Sequence, residues 1–331
     1  MATPAETAAA SGNGYNYYPR TMMQLSGIAY DSIADIPAAV RQLGWRVVWG
    51  PSQLVDEFGV SYSLAFVAYR DDLQEYTVVI RGTPLDSWTA WTTETFDIAT
   101  TVPFNQLVPD APAGARISQG TCNGINDLLR LRDPGTGVSL VSFLKRVNPL
   151  FLYVTGHSLG GMLAPPLFAY LNYELYGGGF VHNMALWSFA GLTPGNAAFN
   201  NYFNSLGNKL FPWRLYNTLD IAPFCWWSKA GIESIYSPRL PYGEPEQFFV
   251  DGLFGLAAGK GYAQPVYGGM PLPGVFHPET GFLAWVDEAL YQHEVATYQQ
   301  LVDRAYPLAQ AGIAANVWDQ MGGEVVQGTA G

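Results

Sequence analysis

The sequence predicts an α/β fold in which helices cover both faces of a mostly parallel central sheet. Apolar strand-like runs alternate with helical segments along most of the 331 residues, a pattern typical of βαβ units. Several of these strand runs are apolar throughout, as expected for strands that are buried on both faces. Hydrophobic residues make up 49% of the chain and charged residues 13%, which excludes a disordered or coiled-coil protein.

The N-terminal part is predicted to contain two helices followed by a hairpin. Apolar residues recur with helical spacing at residues 21–29 and 37–43. Two strand-like segments follow at residues 63–70 and 75–81. The short polar gap between these segments favours a β-hairpin.

The middle of the chain is predicted to continue as helix, strand and helix. Helical spacing at residues 121–147 is interrupted by the turn sequence DPGTG at residues 133–137. A buried-strand run at residues 150–155 then leads into a tight turn of small residues. We expect a helix to begin near Ser158.

Two further strands and a helix complete the predicted sheet. The strands are expected at residues 185–190 and 213–217, with the helix at residues 196–206 between them. Residues 221–284 form an irregular insertion rich in aromatic residues, Gly and Pro. A stretch of this length without a sustained period is either functional or contains short elements that the pattern does not reveal. A last helix is predicted at residues 294–304.

We expect one domain over residues 17–322, with disordered tails at residues 1–16 and 323–331. The sequence as given has no signal-peptide pattern, so a secreted mature form and a cytoplasmic protein both remain open. No apolar run reaches the ~18 residues of a membrane span, and we therefore expect no transmembrane segment.

The charge balance argues against nucleic acid as a partner. The chain has 16 Lys and Arg against 27 Asp and Glu, a net charge of −11, and no basic run that would follow a phosphate backbone. The four histidines have no metal-ligand spacing, so no metal or organic cofactor is expected. Cys122 and Cys225 either pair or are two buried free thiols, because two cysteines do not make a disulfide framework.

The segment Gly156-His-Ser-Leu-Gly160 is the strongest functional signal in the chain. A buried strand precedes this Gly-x-Ser-x-Gly sequence and a helix follows it, which is typical of a turn that presents a nucleophilic serine, here Ser158. Glycine at both ends avoids collisions with neighbouring backbone. The amide of Leu159 begins the helix, where unpaired N–H groups stabilise a developing anion. The alternative is a glycine-rich turn with a capping serine.

A nucleophilic serine needs a base that takes its proton, and two histidines are candidates. His293 lies near the start of the last predicted helix, in the chain order Ser–acid–His expected for this architecture. His277 lies in the irregular insertion and remains an alternative. His157 is expected to pack beneath the turn, and His182 to lie in a surface loop.

Asp220 is the candidate acid, because it follows the predicted strand at residues 213–217. Its role would be to orient the imidazole and stabilise its protonated form. The alternative is an Asx turn that closes the strand. Thr83 follows Gly82 at the end of an earlier strand, where the glycine allows close approach. We expect the Thr83 amide to be the second oxyanion donor.

Five segments together resemble the class 3 lipase family. They are Val79-Ile-Arg-Gly-Thr83, Thr155-Gly-His-Ser-Leu-Gly-Gly161, Phe189-Ala-Gly-Leu-Thr-Pro-Gly-Asn196, Asn217-Thr-Leu-Asp-Ile-Ala-Pro223 and His293-Glu-Val-Ala-Thr-Tyr298. The resemblance runs from about residue 60 to residue 305. It implies an α/β-hydrolase fold that cleaves carboxylic esters, often triacylglycerols. It also implies Ser158 as nucleophile, Asp220 as acid and His293, in preference to His277, as base. Thr83 and Leu159 would frame the oxyanion hole.

The resemblance further implies a lid after the oxyanion strand, at residues 84–112. The aromatic and aliphatic side chains placed to form this lid or an acyl pocket are Trp88, Trp91, Phe96, Ile98, Val102 and Phe104. The alternative is a hydrophobic loop packed on the body of the protein. Glu94 would brace Thr83.

The chain also departs from the family pattern. Pro165 and Pro166 are expected to kink or shorten the helix after the serine. The insertion at residues 221–284 is long and aromatic for the family and leaves the shape of the acyl pocket open.

The predicted function is therefore a carboxylic ester hydrolase, with triacylglycerol lipase as the leading activity. The expected partner is an ester or lipid substrate. A lipid–water interface is a second candidate partner. The alternatives are a short-chain esterase, a phospholipase, a serine amidase or peptidase, or an acyltransferase on the same fold. A lipid-binding module without catalysis is a further alternative from another class.

Overall fold

The computed structural model describes residues 14–82, 97–176, 183–206, 211–265, 269–277 and 284–307. Its helices are α1 (Gly14–Ile28), α2 (Ile36–Gln42), α3 (Gln119–Arg130), α4 (Leu140–Val147), α5 (Leu159–Leu171), α6 (Ala197–Leu206), α7 (Lys229–Ser234), α8 (Glu244–Ala257), α9 (Ala284–His293) and α10 (Val295–Ala305). Its strands are β1 (Arg46–Val55), β2 (Ser61–Arg70), β3 (Glu75–Ile80), β4 (Thr101–Pro103), β5 (Arg116–Ser118), β6 (Phe151–His157), β7 (Asn183–Phe189), β8 (Phe211–Asn217) and β9 (Gly269–Leu272). Short 3₁₀ turns lie at Phe104–Gln106 and Ala222–Phe224, and a π turn follows α5 at Asn172–Tyr176.

The central sheet has seven strands within these described ranges, in the order β1-β2-β3-β6-β7-β8-β9. Strand β2 pairs antiparallel with both neighbours, and all pairs from β3 to β9 are parallel. Strands β4 and β5 form a separate small antiparallel pair. The predicted mostly parallel sheet is therefore confirmed, and so is the hairpin that β2 forms with β3.

Helices cover both faces of the sheet because its strands are apolar on both sides. On β3, Val78 and Ile80 join a core with α3, α4, α5 and α6, while Val79 joins a core with α1, α2 and α10 on the other face. A third cluster lies beyond the carboxyl ends of the strands and includes Met162 and Trp285. The carboxyl edge of the sheet is therefore capped by apolar packing around the candidate site.

Some elements differ from the sequence prediction. The insertion at residues 221–284 contains α7, α8 and β9, and α9 begins at its end. Strand β1 was missed because Pro51 lies inside it, and proline is uncommon within strands except at irregularities. The β1–β2 register indeed shifts around this position. Helix α1 begins at Gly14, inside the predicted tail, and residues 1–13 and 308–331 lie outside the described residues.

The two prolines of α5 do not end the helix, which continues to Leu171. Pro165 has no N–H to donate to the carbonyl of Gly161, four residues earlier. The hydroxyl of Ser188 on β7 donates to that carbonyl instead, at 2.8 Å. A side chain from the sheet therefore replaces a hydrogen bond that the helix itself lacks.

Both cysteines are buried free thiols. Cys122 lies in the core that α3 shares with the sheet, and Cys225 lies in the cluster beyond the carboxyl edge. The alternative that Cys122 and Cys225 form a disulfide is therefore wrong. Among the described helices, none is both long and apolar enough to cross a membrane.

Replacing Ser188 by Ala is expected to lower the free energy of unfolding by about 1–3 kcal/mol, because the buried Gly161 carbonyl then has no donor in place of the missing proline N–H. Urea denaturation measures this change. The matched control is Ser234→Ala, which removes an exposed hydroxyl that bonds within α7 and should change stability by less than about 0.5 kcal/mol. Equal losses in the two variants would contradict this role of Ser188.

Candidate active site

Ser158 occupies a strained turn between β6 and α5. Its φ of 60° and ψ of −124° lie in a region that non-glycine residues adopt only when the surrounding structure holds them there. Its amide donates to the Phe189 carbonyl of β7 at 3.0 Å, and its carbonyl accepts from the Met162 amide at 2.9 Å. Hydrogen bonds from the neighbouring strand and from the helix thus fix the backbone of this turn.

Gly156 and Gly160 allow this turn to pack against the end of β3. A Cβ on Gly156 would lie 2.5 Å from the Gly160 carbonyl carbon, and a Cβ on Gly160 would overlap the carbonyl oxygen of Ile80. Real Cβ atoms do not approach backbone so closely. The two glycines are therefore required by the close approach of β3, β6 and α5.

Ser158, His293 and Asp220 form one chain of hydrogen bonds. The Oγ atom of Ser158 lies 2.8 Å from Nε2 of His293, and Nδ1 of His293 lies 2.8 Å from Oδ2 of Asp220. The side chains of His293 and Asp220 are fully buried. Because the Asp220 carboxylate can only accept, Nδ1 carries the proton and Nε2 is left to accept the Ser158 hydroxyl proton.

The Asp220 carboxylate has two further donors. The Tyr298 hydroxyl donates to Oδ2 at 2.7 Å, and the Ala222 amide donates to Oδ1 at 2.9 Å. Burial and the Asp220 charge raise the pKa of Tyr298 well above its ordinary value, so its hydroxyl keeps its proton. These donors hold the buried carboxylate in place.

Asn217 ties the end of β8 to the helix that carries His293. Its Nδ2 donates to the Gln292 carbonyl at 2.9 Å and to Oε1 of the same residue at 2.6 Å. Its amide donates to the Tyr298 hydroxyl at 3.0 Å. Asp220 and His293 are 73 residues apart in the chain. Their segments are therefore connected by these hydrogen bonds of Asn217 as well as by the direct bond between Asp220 and His293.

His157 packs beneath the turn, as its position in the sequence predicted. Its Nδ1 lies 3.1 Å from the Tyr30 hydroxyl of the α1–α2 connection, and its ring centre lies 5.0 Å from that of His293. Burial keeps the pKa of His157 well below its ordinary value of 6.5, and the neighbouring His293 lowers it further. A neutral His157 avoids placing two positive imidazoles in contact.

One predicted oxyanion group, Leu159, and the residue before the other, Gly82, adjoin Ser158. Leu159 is the first residue of α5, where helical geometry leaves the amide without an intrahelical acceptor. Gly82 packs against the turn from β3, and a Cβ there would overlap the Tyr30 hydroxyl and come to 3.0 Å from Cβ of Ser158. Thr83 lies outside the described residues.

The predicted lid residues divide into two groups. Trp88, Trp91 and Phe96, together with Glu94, lie outside the described residues. The other three are packed on the body of the protein. Ile98 is buried in the cluster beyond the carboxyl edge, Val102 packs against the core of α3–α6, and Phe104 is fully buried there against Phe199. Phe104 is therefore a core residue and not part of a movable cover.

The other histidines are not at the serine. His277 is exposed, and its ring centre lies 4.3 Å from that of Tyr291. His182 lies outside the described residues. It is thus the His293 ring, and not that of His277, that reaches Ser158. Among the residues that the structure describes, no group of three His, Cys, Asp or Glu side chains could hold a metal ion.

Sequence reasoning assigned no role to Tyr298, Tyr30, Asn217 or Gln292. Tyr298 and Asn217 lie inside the segments that carry the family resemblance, and this position was the signal in the sequence that could have identified them. Tyr30 lies more than a hundred residues before the serine and follows an unremarkable helix. Only the packing of α1 against β6 brings it to the site.

A strained serine, a histidine and a buried aspartate at the carboxyl edge of a mostly parallel sheet define a serine hydrolase of the α/β-hydrolase type. The lipase (class 3) family model matches residues 77–227, which include Ser158 and Asp220. This segment, somewhat less than half of the chain, is similar to the class 3 lipase family, and the chain is a carboxylic ester hydrolase.

One solved lipase structure shares this architecture, and other solved lipases are more distantly similar. The crystal structure of M37 lipase is 25% identical, covers 87% of this chain and 92% of its own, and superposes with a TM-score of 0.71. A mutant form of MDLA from Penicillium cyclopium is 16% identical over 82% of this chain and 84% of its own, with a TM-score of 0.49. Lip2 lipase from Yarrowia lipolytica is 19% identical over 65% of this chain and 74% of its own, with a TM-score of 0.48. No curated protein matches the chain in sequence.

Replacing Tyr298 by Phe is expected to lower kcat for ester hydrolysis by about tenfold, because Asp220 loses a hydrogen bond to a charged group worth roughly 1.5–3 kcal/mol. Steady-state kinetics on a soluble ester measures the effect. Tyr202→Phe is the matched control, since it removes an exposed tyrosine–aspartate hydrogen bond, to Asp110. A kcat unchanged in Tyr298→Phe would show that the phenol does not support the aspartate.

The buried His157 should make the protein less stable as the pH falls below 6.5. Its folded-state pKa lies well below that value, so the unfolded chain takes up a proton that the folded chain does not. Stability is then lost as the pH drops. In His157→Gln, we expect the slope of unfolding free energy against pH to fall by up to about 1.4 kcal/mol per pH unit.

Urea denaturation between pH 6.5 and about 5 measures this slope. His277→Gln is the control, because it removes a histidine that is exposed in the folded protein. An identical slope in wild type and His157→Gln would mean that His157 is protonated inside the folded protein.

Proposed function

We propose that the protein is a triacylglycerol lipase in which Ser158 is the nucleophile, His293 the general base and Asp220 the orienting acid. The supporting observation is the continuous chain of 2.8 Å hydrogen bonds from the strained serine through His293 to Asp220. Three groups from distant parts of the chain are aligned for one proton transfer. A capping serine would require neither the strained backbone nor the buried carboxylate.

The first half of the reaction forms an acyl-enzyme. Nε2 of His293 takes the Ser158 proton as Oγ attacks the ester carbonyl carbon, and Asp220 stabilises the imidazolium that results. The carbonyl electrons move to the oxygen, which then accepts from the amides of Leu159 and Thr83. The tetrahedral intermediate collapses as His293 donates its proton to the departing alcohol, and the acyl group remains on Ser158.

Water completes the cycle by the same route. His293 takes a proton from water as the oxygen attacks the acyl carbonyl, and returns it to Oγ when the fatty acid leaves. The role of Leu159 is supported by its position at the start of α5. The role of Thr83 rests on the sequence and on Gly82 next to it, which packs against the serine turn.

Triacylglycerol is the proposed substrate because this chain is similar to the class 3 lipase family over residues 77–227 and to M37 lipase over most of its length. The apolar cluster beyond the carboxyl edge, which includes Met162, Leu192, Ile221 and Trp226, supports an acyl-binding environment next to the serine. Aromatic residues make up 15% of the chain, and several of them, including Trp226, Tyr236 and Trp285, belong to this cluster.

Ser158→Ala is expected to lower kcat on p-nitrophenyl esters by at least ~10⁴-fold, and Asp220→Asn by about 10⁴-fold. The matched control is Ser205→Ala, an exposed serine on α6, which should retain wild-type activity. Fluorophosphonate labelling followed by mass spectrometry locates the reactive residue. Near wild-type turnover in Ser158→Ala would exclude Ser158 as the nucleophile.

Substrate class is tested with four ester and amide substrates at matched concentration. We expect wild-type turnover on emulsified triolein and on p-nitrophenyl esters of increasing chain length. We expect less on phosphatidylcholine and least on a p-nitroanilide. Faster cleavage of the amide would identify a serine amidase, and activity confined to acetate and butyrate esters would identify a short-chain esterase.

A further inference from the structure

The exposed large apolar side chains are concentrated at one end of the molecule. Among the described residues these side chains are Val55, Phe58, Val60, Tyr62, Leu150, Trp227, Phe248, Leu256 and Val275. All but Leu150 belong to segments beyond the carboxyl edge of the sheet, where Ser158 lies. Leu150 precedes β6 at the opposite edge. Scattered exposed hydrophobic residues are ordinary, but a set gathered at one end marks an interaction surface.

One part of this surface is the tip of the β1–β2 hairpin, residues 55–62. Ile80, the last residue of β3, pairs with Ala65, whereas Val55 pairs with Ser61 at the tip. The paired hairpin thus extends four residues past the end of β3, or about 13 Å at ~3.3 Å per residue. It projects beyond the edge from which the serine turn rises.

The hairpin tip is ordered although its side chains are exposed. The Asp56 carboxylate accepts from the amides of Phe58 and Val60 at 2.9 and 2.8 Å, and Arg81 donates to the carbonyl of Ser61 at 2.8 Å. Phe58 is nevertheless 82% exposed and Val60 60% exposed. A rigid turn therefore holds two apolar side chains in water, which is unfavourable unless they meet another apolar phase.

The second part is the outer face of α8. Val250 and Ala257 on its inner face are buried in the cluster beyond the carboxyl edge. Phe248 on its outer face is 85% exposed, and Leu256, eight positions later, is also exposed. The outer positions between them include Gly252 and Gly255, beside which a Cβ would meet nothing within 4 Å. The solvent side of α8 thus exposes two large apolar side chains and two glycines beside the polar residues Gln247 and Asp251.

The two parts belong to different regions of the carboxyl edge. The hairpin belongs to β1 and β2, at one end of the strand order, while α8 packs in the cluster that includes Met162 of α5 and Ile221 after β8. Two separate apolar features at the edge that carries the site fit a broad surface better than a compact protein partner. A water-insoluble ester would be delivered from such a surface directly to the serine.

We propose that the hairpin tip and the outer face of α8 dock the protein on an uncharged or zwitterionic lipid–water interface, with the catalytic edge facing the lipid. This rests on the proposed lipase function. The charges near the two features argue against an anionic surface. Asp56 and Glu57 adjoin Phe58, Glu244 begins α8, and the chain carries a net charge of −11. Anionic lipids attract basic segments and would repel these groups.

Docking is tested with Ser158→Ala protein, so that lipid is bound but not consumed. Flotation with phosphatidylcholine-coated triolein droplets measures the bound fraction. We expect the pairs Phe58→Ser with Val60→Ser, and Phe248→Ser with Leu256→Ser, each to weaken binding about tenfold, or ~1.4 kcal/mol, because less apolar area enters the lipid. Leu150→Ser, exposed at the opposite edge, is the matched control and should bind as the parent does.

Thermal unfolding by circular dichroism verifies that each variant is folded, and droplets containing phosphatidylglycerol should bind less protein. Unchanged binding in either pair would overturn the two-part surface. An equal loss in Leu150→Ser would overturn its location, and tighter binding to the anionic droplets would overturn the choice of lipid. Failure of wild-type protein to cleave soluble esters would instead refute the proposed function, since flotation does not depend on turnover.

Discussion

The close contact between the Ser158 turn and the end of β3 is the constraint on which the site depends. Gly156 and Gly160 leave room for the Ile80 carbonyl, so the backbone of β3 and the start of α5 approach without intervening side chains. The strained conformation of Ser158 persists because bonds to Phe189 and Met162 hold it on both sides. From this position its hydroxyl meets the imidazole that α9 supplies.

The His293 imidazole is held in place by a buried network of hydrogen bonds that centres on the Asp220 carboxylate. Asp220 receives bonds from His293, Tyr298 and the Ala222 amide, and Asn217 bonds both Tyr298 and Gln292. Each buried donor and acceptor in this set therefore restrains another. Such networks specify one arrangement of the chain, because a displaced member leaves its partners unsatisfied in a region that water does not reach.

The same edge of the sheet combines this polar network with the largest exposed apolar side chains. The polar groups lie in the interior around Asp220, whereas Phe58 and Phe248 are exposed to solvent. A site of this kind keeps water from the charged groups while it presents apolar surface to substrate. The acidic residues near the hairpin tip leave uncharged lipid as the compatible phase.

The α/β class, the serine turn and the order of serine, acid and histidine could all be predicted from the sequence. Those signals are local: glycine spacing, strand-like runs and residues that follow strand ends. The insertion at residues 221–284 concealed α8, because Gly252 and Gly255 break its apolar pattern, and Pro51 concealed β1. The family resemblance already favoured His293 over His277, and the fold brings the His293 ring to Ser158. That Tyr30 and Tyr298 join the site was visible only in the folded protein. The fold also packed Phe104 into the core. These contacts depend on the packing of segments far apart in the chain, which no local pattern encodes.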